Sequence, residues 1–244
     1  MDGLSLEQKA QYERDGYLIL REVFSKTDCE QFIEHMMALH AGRKTIEGFT
    51  PRKQDDWSRV FNLHLSDPYT RDMLIDPRLR KPLEDCFQDD VDGVQTMYFY
   101  KGSEQHRHQD QYYLPACMSA WIPLVDVGEE NGTIDIQPGS HRRLLTREDF
   151  RDENGQLMPL FGDHYDNALD RLLEENNLPE IPVIAQQGDV VFFHGALIHR
   201  GGPIRQPDAF RHVVANHYIP YHFAAWPHRT LPRLSFDGEL RYTH

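Results

Sequence analysis

The stretch "EQHRHQDQYYLP", residues 104–115, places three potential metal ligands, His106, His108 and Asp110, within five positions. In extended chain, residues two apart point to the same side. His108 and Asp110 are therefore expected to present an imidazole and a carboxylate to one interior, with Gln109 facing away. His-x-Asp is two thirds of the 2-His-1-carboxylate triad, which leaves iron(II) with open positions for substrates and dioxygen. The pair alone is a weak signal, because fourteen histidines produce such pairs by chance. His106 shares the same face if the strand extends backward, and so competes with His108.

A third ligand must come from a distant strand, and "GDVVFFHGALIHRGG" at 188–202 offers His194 and His199. Gly188-Asp189 reads as a turn, Val190 to Phe193 as a buried strand, and Gly195 as its break. Composition leaves both histidines open, with a hydrogen-bonded core histidine as the alternative for each. Arg211 follows His199 on the next predicted strand, "AFRHVVANHYIP". An inward arginine in a mostly apolar barrel is costly unless an anion answers it, and a guanidinium forks well onto a carboxylate. A dicarboxylic cosubstrate meets that need: one end chelates the metal and the other reaches Arg211.

Such a site needs a barrel around it. The 244 residues suit a single domain, and 39% hydrophobic with 27% charged residues is ordinary globular composition. A net charge of −13 argues against nonspecific nucleic-acid binding. The first residues, "MDGLSLEQKAQYERDGY", lack a basic, apolar leader, and no run approaches the roughly 20 apolar residues that span a bilayer. Cys29, Cys86 and Cys117 form no CxxC pair, which suits a reducing cytosol rather than a disulfide framework or zinc knuckle. A cytoplasmic protein with no membrane partner is expected, and nothing in the sequence sets its oligomeric state.

Residues 1–90 read as mainly helical. Ser5 and Gln8 stand at capping-box spacing before a helix that Gly16 ends, and "YLILREVF" follows as a strand. A second helix covers "SKTDCEQFIEHMMALHAG", and "DPYTRDMLIDPRLRKPLEDCF" is helical with a break at Asp76-Pro77. Residues 91–220 then carry short β-rich runs punctuated by Gly, Pro and Asn, which predicts a mainly β jelly roll with helices on its outside. Residues 141–180 interrupt the strands with ten acidic side chains and a helical piece near "NALDRLLEENN", a lid-like insertion. Residues 221–244 read as a C-terminal tail.

His108-Gln109-Asp110, "NGTIDIQPGSHR" at 131–142, "GDVVFFHGALIHRGG" at 188–202 and Arg211, in that order, resemble the phytanoyl-CoA dioxygenase family. The opening "SLEQKAQYERDGYLIL" is similar to the family's usual start. The resemblance implies a double-stranded β-helix, cupin-like, that uses iron(II), 2-oxoglutarate as cosubstrate and dioxygen (O2). It implies His108, Asp110 and His199 as the iron ligands, and Arg211 as the clamp on the far carboxylate of 2-oxoglutarate. Trp121 and Met97 match positions lining the cosubstrate pocket, and Arg59 loosely matches a basic residue near it. Gly201 stands where relatives place a small hydroxyl-bearing residue, so one hydrogen bond to the cosubstrate is expected to be missing. His194 becomes a structural turn residue, His106 a neighbour of the ligands or a pocket residue, and His141 a surface or hinge residue. With Asp110 present no halide vacancy is left on the metal, so hydroxylation or a related oxidation is expected.

The substrate wall is expected to include Tyr98, Tyr100, Tyr112 and Tyr113 beneath the insertion, where aromatic faces could hold a cation. Packing explains those tyrosines equally well. No phosphate-binding cluster is evident, which disfavours a coenzyme A thioester and favours a small, soluble, non-peptidic metabolite. Two rivals remain: a catalytically inactive jelly-roll binding module, and a zinc hydrolase that gives Arg211 no purpose.

Overall fold

Local capping starts both long helices where the sequence signals them. Ser5 accepts from Gln8 N while the Gln8 side chain answers Ser5 N, opening α1 (Leu6–Asp15), which stops at Gly16 with φ +78°. Ser25 and Asp28 form the same reciprocal pair ahead of α2 (Lys26–His40). Asp67 and Asp76 cap α3 (Pro68–Leu74) and α4 (Pro77–Phe87), each with proline at its first turn, where the missing N–H costs nothing.

The computed structural model describes residues 3–51, 59–157, 167, 169–171, 177–206, 209–223 and 232–241. Its strands are β1 (Tyr17–Leu20), β2 (Arg59–Phe61), β3 (Val91–Phe99), β4 (Met118–Pro123), β5 (Ile134–Ile136) and β6 (Ile181–Pro182). They continue with β7 (Val190–His194), β8 (His199–Gly201), β9 (Val213–Pro220), β10 (Arg233–Ser235) and β11 (Leu240–Arg241). The larger sheet runs β1-β7-β4-β9-β3-β10-β11, with β2 also on β3, and the smaller runs β6-β5-β8. The two stacked antiparallel sheets form a double-stranded β-helix, as expected.

Strand parity divides the interior into two layers. Tyr98, Met118, Ala120, Ile122, Phe192, Val214 and Tyr218 face the helices and pack with Phe32, Met36, Leu39 and Leu83. Their alternate neighbours, Met97, Phe99, Trp121, Phe193, Val213 and Ala215, face the smaller sheet and meet Ile134 and Ile136. Alternation along a half-turned strand makes this division automatic. The first layer glues helices to sheet, and the second surrounds the space between the sheets.

Three expectations need correction. The predicted strand "YLILREVF" stops at Leu20. The mainly helical N-terminal part also supplies β1 and β2 to the larger sheet. Residues 221–244 are more than a tail: β10 and β11 extend that sheet, and the buried Asp92 carboxylate ties Arg233 (2.9 Å) and Arg241 (2.9 Å) to β3. Of the helical piece in 141–180, residues 167 and 169–171 are helical, Asn177 lies in a turn, and 168 and 172–176 lie outside the described residues. Cys29, Cys86 and Cys117 are all free thiols, and no helix among the described residues is long and apolar enough to cross a membrane.

Candidate metal centre

His108 and His199 meet across an isolated antiparallel bridge, their rings 4.2 Å apart. Asp110 does not continue that strand. It begins a one-turn 3-10 helix, Asp110–Tyr112, with Gln109 extended before it. The shared face of His108 and Asp110 thus comes from an extended residue followed by a tight turn, and not from a regular strand. Asp110 Oδ1 lies 3.6 Å from His108 Nε2 and 3.7 Å from His199 Nε2. One donor atom from each of the three buried residues falls within 4.8 Å of the others.

Hydrogen bonds preset the donors. His108 Nδ1 donates to His106 O at 2.8 Å, and His199 Nδ1 donates to Leu197 O at 3.0 Å. Each ring thereby uses the carbonyl two residues back and turns its Nε2 lone pair to the shared centre, where that of His108 also meets the Gln105 amide at 3.1 Å. Burial, then the His199 charge, pulls the His108 imidazole down to about 3, so it is neutral and able to ligate at neutral pH. Asp110 Oδ2 accepts from Ser119 Oγ at 2.9 Å and from His217 Nε2 at 3.3 Å, leaving Oδ1 to face the two imidazoles. Burial alone would raise the Asp110 carboxyl, but the charges of His199 and His217, with the His217 bond and His108, hold it far below the usual range. Two imidazole Nε2 atoms and one carboxylate oxygen turned to a common point are the donor set of a facial iron(II) site, so the residues fit that metal.

A cavity of about 520 Å³ opens beside this centre, between the sheets. Arg211 lines it and is only 1% exposed. Its Nη1 donates to Gly132 O at 2.6 Å, and Phe99 and Trp121 flank the guanidinium at 5.4 and 5.6 Å. Its Nε is buried without a partner, and no carboxylate among the described residues pairs with it. Burial lowers Arg211 to about 10, so it stays charged at neutral pH. A buried cation without a counter-ion calls for an anionic ligand, and the cavity therefore fits a dicarboxylate spanning metal centre and arginine.

Of the other expected pocket residues, Arg59, Met97, Trp121, Gly201 and Tyr113 line the cavity. Arg59 donates to Gln105 Oε1 at 2.8 Å, and burial lowers its pKa. The absence of a side chain at Gly201 follows from crowding, since a Cβ there would sit 2.6 Å from Glu104 N and 2.8 Å from Ser103 Oγ. Tyr98 and Tyr100 do not belong to the substrate wall. They occupy the opposite parity of β3 and its extension, where Tyr98 OH donates to His212 Nδ1 at 2.7 Å and Tyr100 OH bonds His40. Tyr112 also points away, into a cluster with Phe150, Leu169 and Ile198. The His106 side chain is not among those lining the cavity, and its carbonyl is what orients His108. His194 accepts from Ala196 N at 3.0 Å inside the turn, and His141 packs against it with rings 5.4 Å apart.

Ser119, His217 and Gln105 were missed by sequence reasoning. Ser119 pairs with His217 across β4 and β9, two positions from Trp121 and on its face. A polar residue at that parity was the available signal. Gln105 Nε2 lies 3.1 Å from His108 Nε2 and joins the centre to Arg59. No spacing rule points to it.

Comparison with known proteins finds relatives of the same fold. The bovine peroxisomal phytanoyl-CoA dioxygenase is 25% identical over 240 residues, covering 88% of this chain and 68% of that protein. Among solved structures, EctD from S. alaskensis with bound Fe superposes with a TM-score of 0.70 at 21% identity, covering 89% of this chain and 77% of that one. The same protein has been solved with 2-oxoglutarate and 5-hydroxyectoine. HygX from Streptomyces hygroscopicus, with nickel and 2-oxoglutarate bound, gives a TM-score of 0.67 at 19% identity over 92% of this chain and 90% of that one. The model of the phytanoyl-CoA dioxygenase (PhyH) family matches residues 12–213, and the chain belongs to that family of 2-oxoglutarate-dependent non-haem iron dioxygenases.

Proposed function

We propose that His108, Asp110 and His199 hold iron(II), that Arg211 holds the far carboxylate of 2-oxoglutarate, and that the enzyme oxidises an unactivated C–H bond of a small, non-peptidic metabolite. 2-Oxoglutarate and O2 are converted to succinate and CO2, with hydroxylation as the expected outcome. The observation that carries this reading is the convergence of three preset donor atoms beside a buried, unpaired guanidinium.

When bound, the iron couples O2 activation to decarboxylation of the keto acid. The chain's own residues bind, orient and exclude water. Ser119 and His217 hold Asp110 so that a single oxygen faces the centre. The carbonyls of His106 and Leu197 fix the two imidazole tautomers. Phe99, Trp121 and Phe193 wall the cavity with apolar surface, which limits water and hence side reactions. Tyr113, Leu114 and Gln95 line the cavity too, and supply a mixed apolar and hydrogen-bonding surface for a compact substrate. A cavity of about 520 Å³ suits such a molecule together with the cosubstrate.

Succinate formation from 2-oxoglutarate under air, with and without candidate metabolites, tests the proposal alongside iron content. Asp110→Ala is expected to lower succinate formation by more than about 100-fold, beyond what loss of an outer hydrogen bond costs a metal site. Undiminished succinate formation in that variant would refute the ligand assignment.

A further inference from the structure

The bridge between His108 and His199 is closed by backbone bonds in both directions, 2.9 Å from His108 N and 3.1 Å from His199 N. In that antiparallel register the next pair along is Arg107 and Arg200. Like charges directly opposite on adjacent strands repel, and here the repulsion acts one residue from each ligand. A single carboxylate answers both. Glu180 accepts from Arg107 Nε at 2.9 Å and Nη2 at 3.4 Å, and its Oε1 is 2.7 Å from Arg200 Nη2. Asp170 binds only Arg107 (2.8 Å) and Asp135 binds only Arg200 (3.1 Å). Among the described residues, Glu180 alone spans the two arginines.

Its placement is fixed by the sheet. Glu180 immediately precedes β6, β6 pairs with β5, and β5 pairs with β8 through Asp135 opposite Arg200. The side chains are partly buried, 28% exposed for Arg107, 33% for Arg200 and 24% for Glu180. This separates the group from isolated surface pairs, which contribute little. The last residue of the acidic insertion is thereby tied to both chain segments that deliver imidazoles.

We propose that Glu180 is a positioning residue of the metal centre: by bridging Arg107 and Arg200 it holds the His108 and His199 segments in register, so that their Nε2 atoms converge. The inference rests on the reading of His108, Asp110 and His199 as the metal site. Neutralising Glu180 removes the one carboxylate that, among the described residues, links the two arginines, leaving Asp170 on Arg107 and Asp135 on Arg200. The two segments lose their tie, the spacing of the imidazoles loosens and metal affinity weakens.

Co(II) titration of the full chain, followed by its visible absorption, is the test, because it reads metal affinity without turnover. Wild type is expected to bind Co(II) and Asp110→Ala to fail to bind. Glu180→Ala is expected to bind about tenfold more weakly, the low end of what losing a supporting contact costs a metal site. In the Arg107→Ala/Arg200→Ala background, adding Glu180→Ala is expected to change Co(II) affinity no further, because nothing is left to bridge. A general packing role would lower the melting temperature while leaving Co(II) affinity unmoved. Wild-type affinity in folded Glu180→Ala overturns the proposal, as does an equal loss in the double-arginine background. Absence of Co(II) binding by wild type defeats the metal-centre reading itself, a distinguishable result. Should Glu180→Ala fail to fold, the near-isosteric Glu180→Gln in the same titration decides: weaker binding supports the bridge and unchanged binding removes it.

Discussion

Arg211 is a buried cation that no carboxylate among the described residues answers. It is held at one nitrogen by Gly132 O, flanked by two aromatic rings, and left with a buried Nε unanswered. Truncating one partner of a buried charge pair costs about 2–5 kcal/mol. Arg211→Ala should therefore raise the KM for 2-oxoglutarate by about 30-fold or more. Arg211→Lys should recover only part of this, since an ammonium keeps the charge and loses the fork. Steady-state kinetics against 2-oxoglutarate check both, and an unchanged KM in the alanine variant would remove the clamp. Spacing marks His108 and Asp110 as candidates, but His106 competes with His108, and both His194 and His199 stay open until the family resemblance favours His108 and His199. The structure brings His108, Asp110 and His199 together. The tyrosines were not legible. Expecting Tyr98 and Tyr100 on the substrate wall overlooks the two-residue period of β3, which sends 97 and 99 to the cavity and 98 and 100 to the helices. Composition favoured aromatic rings, but parity decides which of them the cavity sees.

At the level of elements, the centre hangs on two irregular segments stitched together, so His108 and Asp110 share a face through an extended residue and a tight turn where strand logic expects a regular strand. Between His108 and Asp110, Gln109 is fully buried and faces away from the metal. Its amide donates to Ala196 O at 2.5 Å and Arg143 O at 2.8 Å, and its oxygen accepts from Leu145 N at 2.8 Å. The side chain therefore fastens the first ligand segment to the turn before His199 and to the entry of the insertion. Gly195 allows that turn, since a Cβ there would meet Cys117 O at 2.3 Å. Gln109→Ala leaves the Ala196 carbonyl and the Leu145 N–H buried and unpaired, at about 1–3 kcal/mol for each group not rescued by water, and frees the part-buried Arg143 carbonyl. A net loss of about 2–4 kcal/mol in urea unfolding is expected, together with weaker metal binding. Unchanged stability would mean that the segment holds its shape without this side chain. The sequence indicates that Gln109 points outward from the centre, but the partners it finds there come from two distant stretches of chain, 143–145 and Ala196, and no local pattern encodes them.

Across the whole molecule, several histidines outside the metal centre are held neutral by burial. His64, between α3 and β3, lies at about 4 through burial and then the Arg71 charge. His194 lies at about 4 through burial and then His141, and His212, stacked on Phe210 and bonded by Tyr98, at about 4 through burial. Each is depressed below its unfolded value of roughly 6.5. Above that value both states are neutral and nothing changes. Between about 6.5 and 4 the unfolded chain takes up protons that the folded chain refuses, so stability falls as pH falls through this window. The opposing trend is relief of self-repulsion as the net charge of −13 shrinks towards the pI of about 5.5. That repulsion is spread over the surface, and salt near 0.15 M cuts it off beyond about 8 Å, whereas His64 and His212 are buried, His194 is half-buried, and all three are desolvated. Burial therefore wins. Urea unfolding of metal-free protein in 0.15 M salt should show about 2–5 kcal/mol less stability at pH 5 than at pH 7, with two to three protons taken up on unfolding. A level or rising profile over that interval would show that the helix–sheet layer tolerates charged imidazoles, and that these histidines are solvated more fully than their packing implies.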